Sequence, residues 1–308
     1  MKKHVLPPSG AAAVPGQKSL WNRALPYLFI LPIAITLLVF TVIPFFMSFG
    51  LSFTKYNIMN PPTFNGLYNY RKLLEDEQLR IAIKNTLIYA ALVVPIKTLL
   101  ALILATMVVK KGNSPVSRFA KAVFFIPYLT SASVIGVVWK QMLNSDIAAV
   151  DWFFSLFGLN ASTLLGSSST ALATLAAISI WKDVGYSMIF YVAALMDVPK
   201  SYYEAAQVDG ANGWQEFFRI SLPMVKPTTV LLVFMGITGS FQVFELIYTL
   251  TGGGPGFSTT TIVMYAYNLN FKSNNAGYAM AVSNVLLLIV AVLSILQRKM
   301  VARENLEY

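Results

Sequence analysis

The chain has 308 residues, 56% of them hydrophobic and only 12% charged, with a net charge of +10. Soluble globular domains carry about 25% charged residues, so this composition, with a mean hydropathy of +0.62, reads as an integral membrane protein. It holds no cysteine and one histidine, His4, which excludes disulfides and thiol chemistry and leaves no set of histidines for catalysis or for a metal.

Residues 1–24 read as a polar cytoplasmic tail with Pro7, Pro8 and Pro15. A bilayer core about 30 Å thick needs about 20 helical residues. Six stretches meet that length: Leu25–Leu51, Asn85–Val109, Ala122–Leu143, Ala171–Leu195, Pro227–Leu250 and Gly277–Leu296. Together they make a transmembrane domain over residues 25–300, with 301–308 as a C-terminal tail. The first stretch is too long for the apolar core of a signal peptide and no small-x-small cleavage site follows it. Backbone groups must be satisfied inside lipid, and the runs are too long for barrel strands of about ten residues, so the expected fold is all-α. Pro32, Pro44 and Pro95 predict kinks or helix ends. The longest outer segment, Ser52–Leu79, is too short for an enzyme domain.

Charge sets the orientation. Fourteen Lys/Arg fall in the N-terminal tail, the second and fourth connections and the C-terminal tail, against six in the other connections. That bias puts both termini in the cytoplasm. The connection after the third span carries Asp146 and Asp151 and no basic residue, as an outer segment should. Because the basic residues lie between apolar runs and not on one dense patch, they point to lipid head groups and not to nucleic acid.

No catalytic constellation is present. No Gly-Lys pair occurs anywhere, so the loop that cradles phosphates in P-loop ATPases is missing. The glycine-rich run Gly252–Gly256 has no following lysine and reads as an outer turn. The triplet Asn160-Ala161-Ser162 fits a glycosylation acceptor, but such triplets recur by chance. Ionisable groups inside spans carry more weight, because a charge at the bilayer centre costs at least about 2.5–3.5 kcal/mol on insertion scales. Lys97, Lys182, Asp183 and Glu245 therefore need partners or water. Trp181 and Tyr186 lie beside the Lys182-Asp183 pair, and Ser240, Phe241, Gln242 and Phe244 lie beside Glu245. Polar groups interleaved with rings suit a sugar, whose hydroxyls need hydrogen bonds and whose C–H face stacks on aromatics. The competing reading is polar packing between helices, and Lys97 either snorkels or pairs structurally.

The most informative segment is the connection over residues 197–226. Pro199 and Ser201 open a short helix, and Glu204 three residues after Ser201 has capping-box spacing. Ala205 and Ala206 offer a nearly bare backbone, Gly210 ends the helix, and a second stretch, Trp214–Arg219, leads to Leu222-Pro223. Read plainly, this is a helix–turn–helix connector. Its length and its small and apolar surface fit a docking element better.

Glu204-Ala205-Ala206, Gly210 and Ile220-x-Leu222-Pro223 match the EAA motif, EAA-x3-G-x9-I-x-LP. On these residues the chain resembles the permease subunits of bacterial ABC importers, over about residues 25–300. Gly66-Leu-Tyr-Asn-Tyr70 and Asn85-Thr86 resemble that family's outer segment and the start of its second span. Trp181 and Thr251-Gly-Gly-Gly-Pro255 are similar to the MalF-type branch, which imports sugars, oligosaccharides and related solutes; the two extra N-terminal spans and large insert of the maltose member are missing here. The resemblance implies a MetI-like, six-helix permease that is not itself an enzyme and needs no cofactor of its own. It implies as partners a second homologous permease, two ATP-binding subunits that hold ATP and Mg, and an extracytoplasmic sugar-binding protein, all at the bacterial cell membrane. Carried onto this chain, Glu204, Ala205, Ala206, Asp209, Gly210, Ile220, Leu222 and Pro223 form the ATPase-coupling loop. Trp181, Asp183, Tyr186, Ser240, Phe241, Gln242 and Glu245 line the substrate path. Asp183 and Ser240 depart from the maltose pattern, so maltose is not carried over. Asp183 weighs against an anionic solute such as a glycerol phosphate, while Lys182 keeps that class open. The rival readings are an ion-driven transporter with Lys182, Asp183 and Glu245 as its relay, and a membrane-embedded enzyme.

Overall fold

The computed structural model describes residues 20–112, 114–144 and 147–304. The tail through residue 19, Asp146 and the last four residues lie outside them. The chain divides into two compact units at residues 50 and 51.

The first unit is helical from Leu20, ahead of the expected span start at Leu25. α1 (Leu20–Leu37) runs into a π turn over Leu38–Val42 and then into α2 (Ile43–Leu51). The π turn directly precedes Pro44, whose missing N–H removes one helical bond. At Pro32 the carbonyl instead accepts from the Thr36 hydroxyl at 2.9 Å. Tyr27–Leu51 is long and apolar enough to cross a membrane, with a mean hydropathy of 2.6.

The second unit opens with an antiparallel hairpin, β1 (Thr54–Asn57) on β2 (Asn60–Phe64), with Thr54 opposite Phe64. α3 (Tyr68–Glu75) and α4 (Glu77–Lys110) follow, then α5 (Pro115–Leu129), α6 (Ala132–Asn144), α7 (Ala148–Ser155), α8 (Ala161–Gly166) and α9 (Ala171–Met196). The chain continues through α10 (Lys200–Val208), α11 (Gly213–Glu216), α12 (Leu222–Met224), α13 (Lys226–Phe241), α14 (Glu245–Leu250), α15 (Ile262–Tyr267) and α16 (Ala276–Glu304). α4 and α9 pack along much of their length, and α13 leans on both. One core cluster joins α4, α6, α9 and α14 through Tyr89, Leu143, Leu175 and Ile247. A second lies toward the far ends of α4 and α9, around Leu102, Met188 and Tyr191. A third holds α4 to α15 and α16 through Ala82, Ile262 and Tyr278.

Three helical stretches among the described residues are long and apolar enough to cross a membrane, and up to five if each of two bent pairs counts as one span. α9 has the length but carries Lys182 and Asp183 at its middle. The expected third span is two helices, α5 and α6, meeting at 95°. Pro127 and the extended backbone at Thr130 (ψ 140°) account for the turn. The expected fifth span is likewise two helices, α13 and α14, separated by Gln242–Phe244. Pro95, where a kink or end was expected, lies inside an uninterrupted α4.

The family-like outer motifs prove to be clasps. Asn69 donates to the Ser52 and Thr54 carbonyls at 2.8 and 2.9 Å. Asn85 donates to the Phe257 and Thr260 carbonyls at 2.8 and 3.0 Å, and the Thr86 hydroxyl accepts from the Ile262 N–H at 3.2 Å. In this way α4 holds the glycine-rich turn that follows α14. At the N-terminal end of α4, Asp76 caps the helix by accepting from the Leu79 N–H, and it accepts from the Tyr265 and Tyr278 hydroxyls at 2.6 and 2.5 Å. Burial alone would raise its carboxyl; the two phenols and the backbone N–H groups of Leu79 and Gln78 outweigh burial and hold it below the ordinary aspartate value.

Candidate functional site

The break in the α13–α14 stretch makes the site. Gly239 and Ser240 weaken the helix, the Gln242 N–H closes on the Gly239 carbonyl, and Phe244 leaves helical geometry at φ −141°. The freed Val243 carbonyl accepts from the Thr261 hydroxyl at 3.2 Å. Irregular backbone at membrane depth persists only where it is buried in protein or lines a polar cavity. Here it lines a cavity of about 370 Å³.

α4, α9 and the two sides of the α13–α14 break supply most of the walls, with Ala132 of α6 completing them. α4 presents Tyr89, Val93 and Lys97, α9 presents Ser179, Lys182 and Asp183, and the break region presents Gly236, Ser240, Gln242, Phe244 and Glu245. Tyr89, Val93 and Lys97 follow one another at four-residue helical spacing, as do Ser179 and Asp183, and Gly236 and Ser240. Tyr89 is fully buried and donates to the Ser179 hydroxyl at 2.7 Å, closing one side. Lys182 pairs with Asp183 at 2.5 Å, and its ammonium lies 5.5 Å from the Tyr128 ring centre. Gly236 packs closely here: a Cβ at that position would come within 3.2 Å of Val94 and 3.6 Å of the Lys97 ammonium.

Of the expected path residues, the structure gathers Asp183, Ser240, Gln242 and Glu245 around this cavity and leaves three outside it. Trp181 faces outward, 46% exposed, with its ring edge-on to Trp139. Tyr186 stacks on Tyr128 at 4.5 Å. Phe241 is buried in the cluster with Ala82 and Ile262. The adjacency of Trp181, Tyr186 and Phe241 to polar residues concealed this, because neighbours in a helix point about 100° apart. Tyr89, Ser179 and Gly236 were not singled out from the sequence. Their signal was spacing: Tyr89 is eight before Lys97, Ser179 four before Asp183, and Gly236 four before Ser240. Among the described residues no group of three or more acids or histidines could hold a metal ion.

The connection from α9 to α13 forms the second part. α10 starts after Pro199 with no side-chain cap, so the expected Ser201/Glu204 capping box does not form. Ser201 is already inside the helix, where its hydroxyl cannot reach the free N–H groups. The capping box is made instead by Asn212 and Gln215 at the start of α11. α10 ends at Gly210, whose φ of +80° suits glycine, with the Ala211 N–H on the Ala206 carbonyl at 2.8 Å. Behind it, the Tyr203 hydroxyl shares a hydrogen bond with Ser221 at 3.1 Å, and Gln207 donates to Glu216 at 3.1 Å. Ile220 sits in a π turn over Phe217–Ser221 that leads into Leu222 and Pro223. Glu204, Ala205, Asp209 and Gly210 are exposed and Ala206 half-buried. Val208 is 88% exposed, an apolar surface on a helix held rigidly from behind.

A family model for the binding-protein-dependent transport system inner membrane component matches residues 97–305. The chain is 35% identical over 281 residues to the probable ABC transporter permease protein YurN of Bacillus subtilis (strain 168), covering 90% of this chain and 96% of that protein. It is 31% identical to the arabinooligosaccharides transport system permease protein AraP of Halalkalibacterium halodurans, over 90% of this chain and 87% of that one. It is 32% identical to the sn-glycerol-3-phosphate transport system permease protein UgpA of Agrobacterium fabrum, over 92% and 96%. Among solved structures, a chain of a bacterial ABC transporter involved in the import of the acidic polysaccharide alginate superposes with a TM-score of 0.79 at 26% identity, covering 92% of this chain and 98% of that one. By a match over residues 97–305, which takes in α9, the break after α13 and the α10 connection, this chain belongs to the family of binding-protein-dependent transport system inner membrane components.

Proposed function

We propose that this chain is the permease subunit of an ABC importer that carries a sugar or oligosaccharide across the cell membrane. The observation that carries the reading is the polar cavity opened by the unwound Gln242–Phe244 segment, deep among helices of a transport-family chain. Six spans, with α5–α6 and α13–α14 as broken ones, and cytoplasmic termini follow from the charge bias. A second permease completes the path. An extracytoplasmic binding protein delivers the solute; in support, the bacterial alginate ABC transporter has been solved in complex with an alginate pentasaccharide-bound periplasmic protein.

In this reading α10 docks into a cleft on an ATP-binding subunit. Glu204 and Ala205 meet that surface, Gly210 sets the helix end, and the Tyr203–Ser221 and Gln207–Glu216 bonds pass its displacement to the foot of α13. α13 ends at the cavity, so movement of α10 reaches the break through one helix. ATP hydrolysis belongs to the partner subunits.

The test is reconstitution of this chain with its partner subunits in proteoliposomes. ATPase activity stimulated by the solute-loaded binding protein, with ATP-dependent uptake, is the expected result. Uptake by this chain alone, driven by a proton or sodium gradient and indifferent to ATP, overturns it.

A further inference from the structure

A second cavity, of about 520 Å³ and almost wholly apolar in its lining, runs along the last turns of α4. One wall is Leu99, Ile103, Met107 and Lys110, a stripe at three- or four-residue spacing. The other is Trp214, Phe218 and Leu222, at four-residue spacing through α11, the π turn and α12. The Thr106 hydroxyl in the lining donates to the Leu102 carbonyl at 2.8 Å and offers the groove little polarity. Trp214 and Phe218 stack with ring centres 6.0 Å apart and are both more than half exposed, as aromatic rings at head-group level are. Two dimensions say what fits. From Leu99 to Lys110 α4 rises about 16 Å, and one leaflet of a hydrocarbon core about 30 Å thick is about 15 Å deep. Spread over that length, the cavity has a cross-section of about 30 Å², less than half that of a helix about 10 Å across. The groove therefore takes an extended hydrocarbon chain and not a helix. Its charged end suits the other half of a lipid. The Lys110 side chain is 54% exposed, and its ammonium stands 3.8 Å from the Glu216 carboxylate, beyond hydrogen-bond reach. Glu216 is itself buried and accepts from Gln207 behind it. The face turned outward is thus cationic, with Lys111 exposed at the next position.

We propose that this groove binds one anionic phospholipid of the cytoplasmic leaflet, its acyl chain laid along α4 and its phosphate at Lys110 and Lys111. This rests on the importer reading for which leaflet the end of α4 meets. The bound lipid packs against α11 and the π turn, which carry Glu216 and Ser221, the two residues that hold α10. It therefore braces the α10 connection from the membrane side.

The test places the full complex in phosphatidylcholine nanodiscs with a trace of phosphatidylglycerol or phosphatidylcholine, each carrying the same photoactivatable acyl chain, and maps the labelled residues by mass spectrometry. Phosphatidylglycerol is expected to label residues 99–107 and 217–222 at least about fivefold more than phosphatidylcholine, the factor one lysine contributes near an anionic head group. Lys110→Gln with Lys111→Gln removes the difference, and Lys110→Arg keeps it. Lys111→Gln alone, which leaves Lys110 beside Glu216, lowers it. Ile103→Trp, and separately Met107→Trp at a more exposed position, fill the groove and abolish the labelling with both lysines in place. Equal labelling by the two lipids, a preference that survives loss of the lysines, or labelling that persists in the filled grooves overturns the proposal. So does the absence of label, as when a partner subunit covers the groove. ATP-dependent uptake by the same complex in proteoliposomes reports on the importer reading separately: uptake without selective labelling sinks the lipid site alone, and selective labelling without uptake sinks the importer reading alone.

Discussion

The α10 connection and the cavity are assembled in opposite ways. The connection uses residues contiguous in the chain, Lys200 to Pro223, and braces itself through Tyr203–Ser221, Gln207–Glu216 and the Asn212–Gln215 capping box. The cavity takes Tyr89 and Lys97 from α4, Ser179 and Asp183 from α9, and Ser240 and Glu245 from the two sides of a helix break. A self-braced surface can transmit force while its outer residues stay free for a partner. A cavity shared by several helices changes shape whenever one of them shifts, which suits a path that must open and close.

The sharpest way to break this comparison is Glu204→Lys. Glu204 is exposed and makes no hydrogen bond or ion pair among the described residues. Reversing its charge is expected to abolish ATP-dependent uptake while thermal unfolding of the purified chain stays unchanged; normal uptake would remove the docking role. Next comes Gly236→Leu, which drives a side chain into Val94 and the Lys97 ammonium. Overpacking of this kind costs about 1–3 kcal/mol. Uptake should fall severely, with a lowered unfolding temperature, while the ATP-binding subunits still co-purify, so the damage stays in the cavity half.

A smaller effect is expected at Gly210→Ala, where a left-handed residue gains a Cβ at a cost of about 1–2 kcal/mol. Hydrogen exchange should quicken at the end of α10 and leave the cavity helices unchanged; protection lost in α4 or α9 would show that the connection is not self-braced. The smallest effect is a control remote from α10, at Asp76. Its folded carboxyl is held below the ordinary value, so its stabilisation is complete above about pH 4, the unfolded aspartate range, and is lost as pH falls through the folded value. Unfolding temperature should drop over that acidic window in wild type, and Asp76→Asn should flatten that dependence.

Legibility in the sequence followed the same division. The α10 residues could be found because their spacing is written along the chain, and the turn at Gly210 lies where it was expected. The capping box could not be placed, since Ser201-x-x-Glu204 and Asn212-x-x-Gln215 satisfy the same kind of pattern. Pro199 starts the helix too early for Ser201 to cap it. In the cavity, polar type pointed to Asp183, Ser240, Gln242 and Glu245, which line it, while chain adjacency drew in Trp181, Tyr186 and Phe241, which face elsewhere.

Length, hydropathy and the scarcity of charge determined on their own that this is a helical membrane chain, because apolar runs of bilayer length have few other fates. The EAA spacing pointed to the family, because its fixed positions are written close together along the chain. Only the tertiary structure decided that the third and fifth stretches are broken. Whether a helix continues past Thr130 or Gln242 depends on which neighbour takes up the freed backbone groups, as Thr261 does for Val243. The gathering of Lys97 on α4 with Lys182 and Asp183 on α9 around one cavity was decided at the same level, because the rotation of those two helices against each other is set by packing and not by either sequence alone.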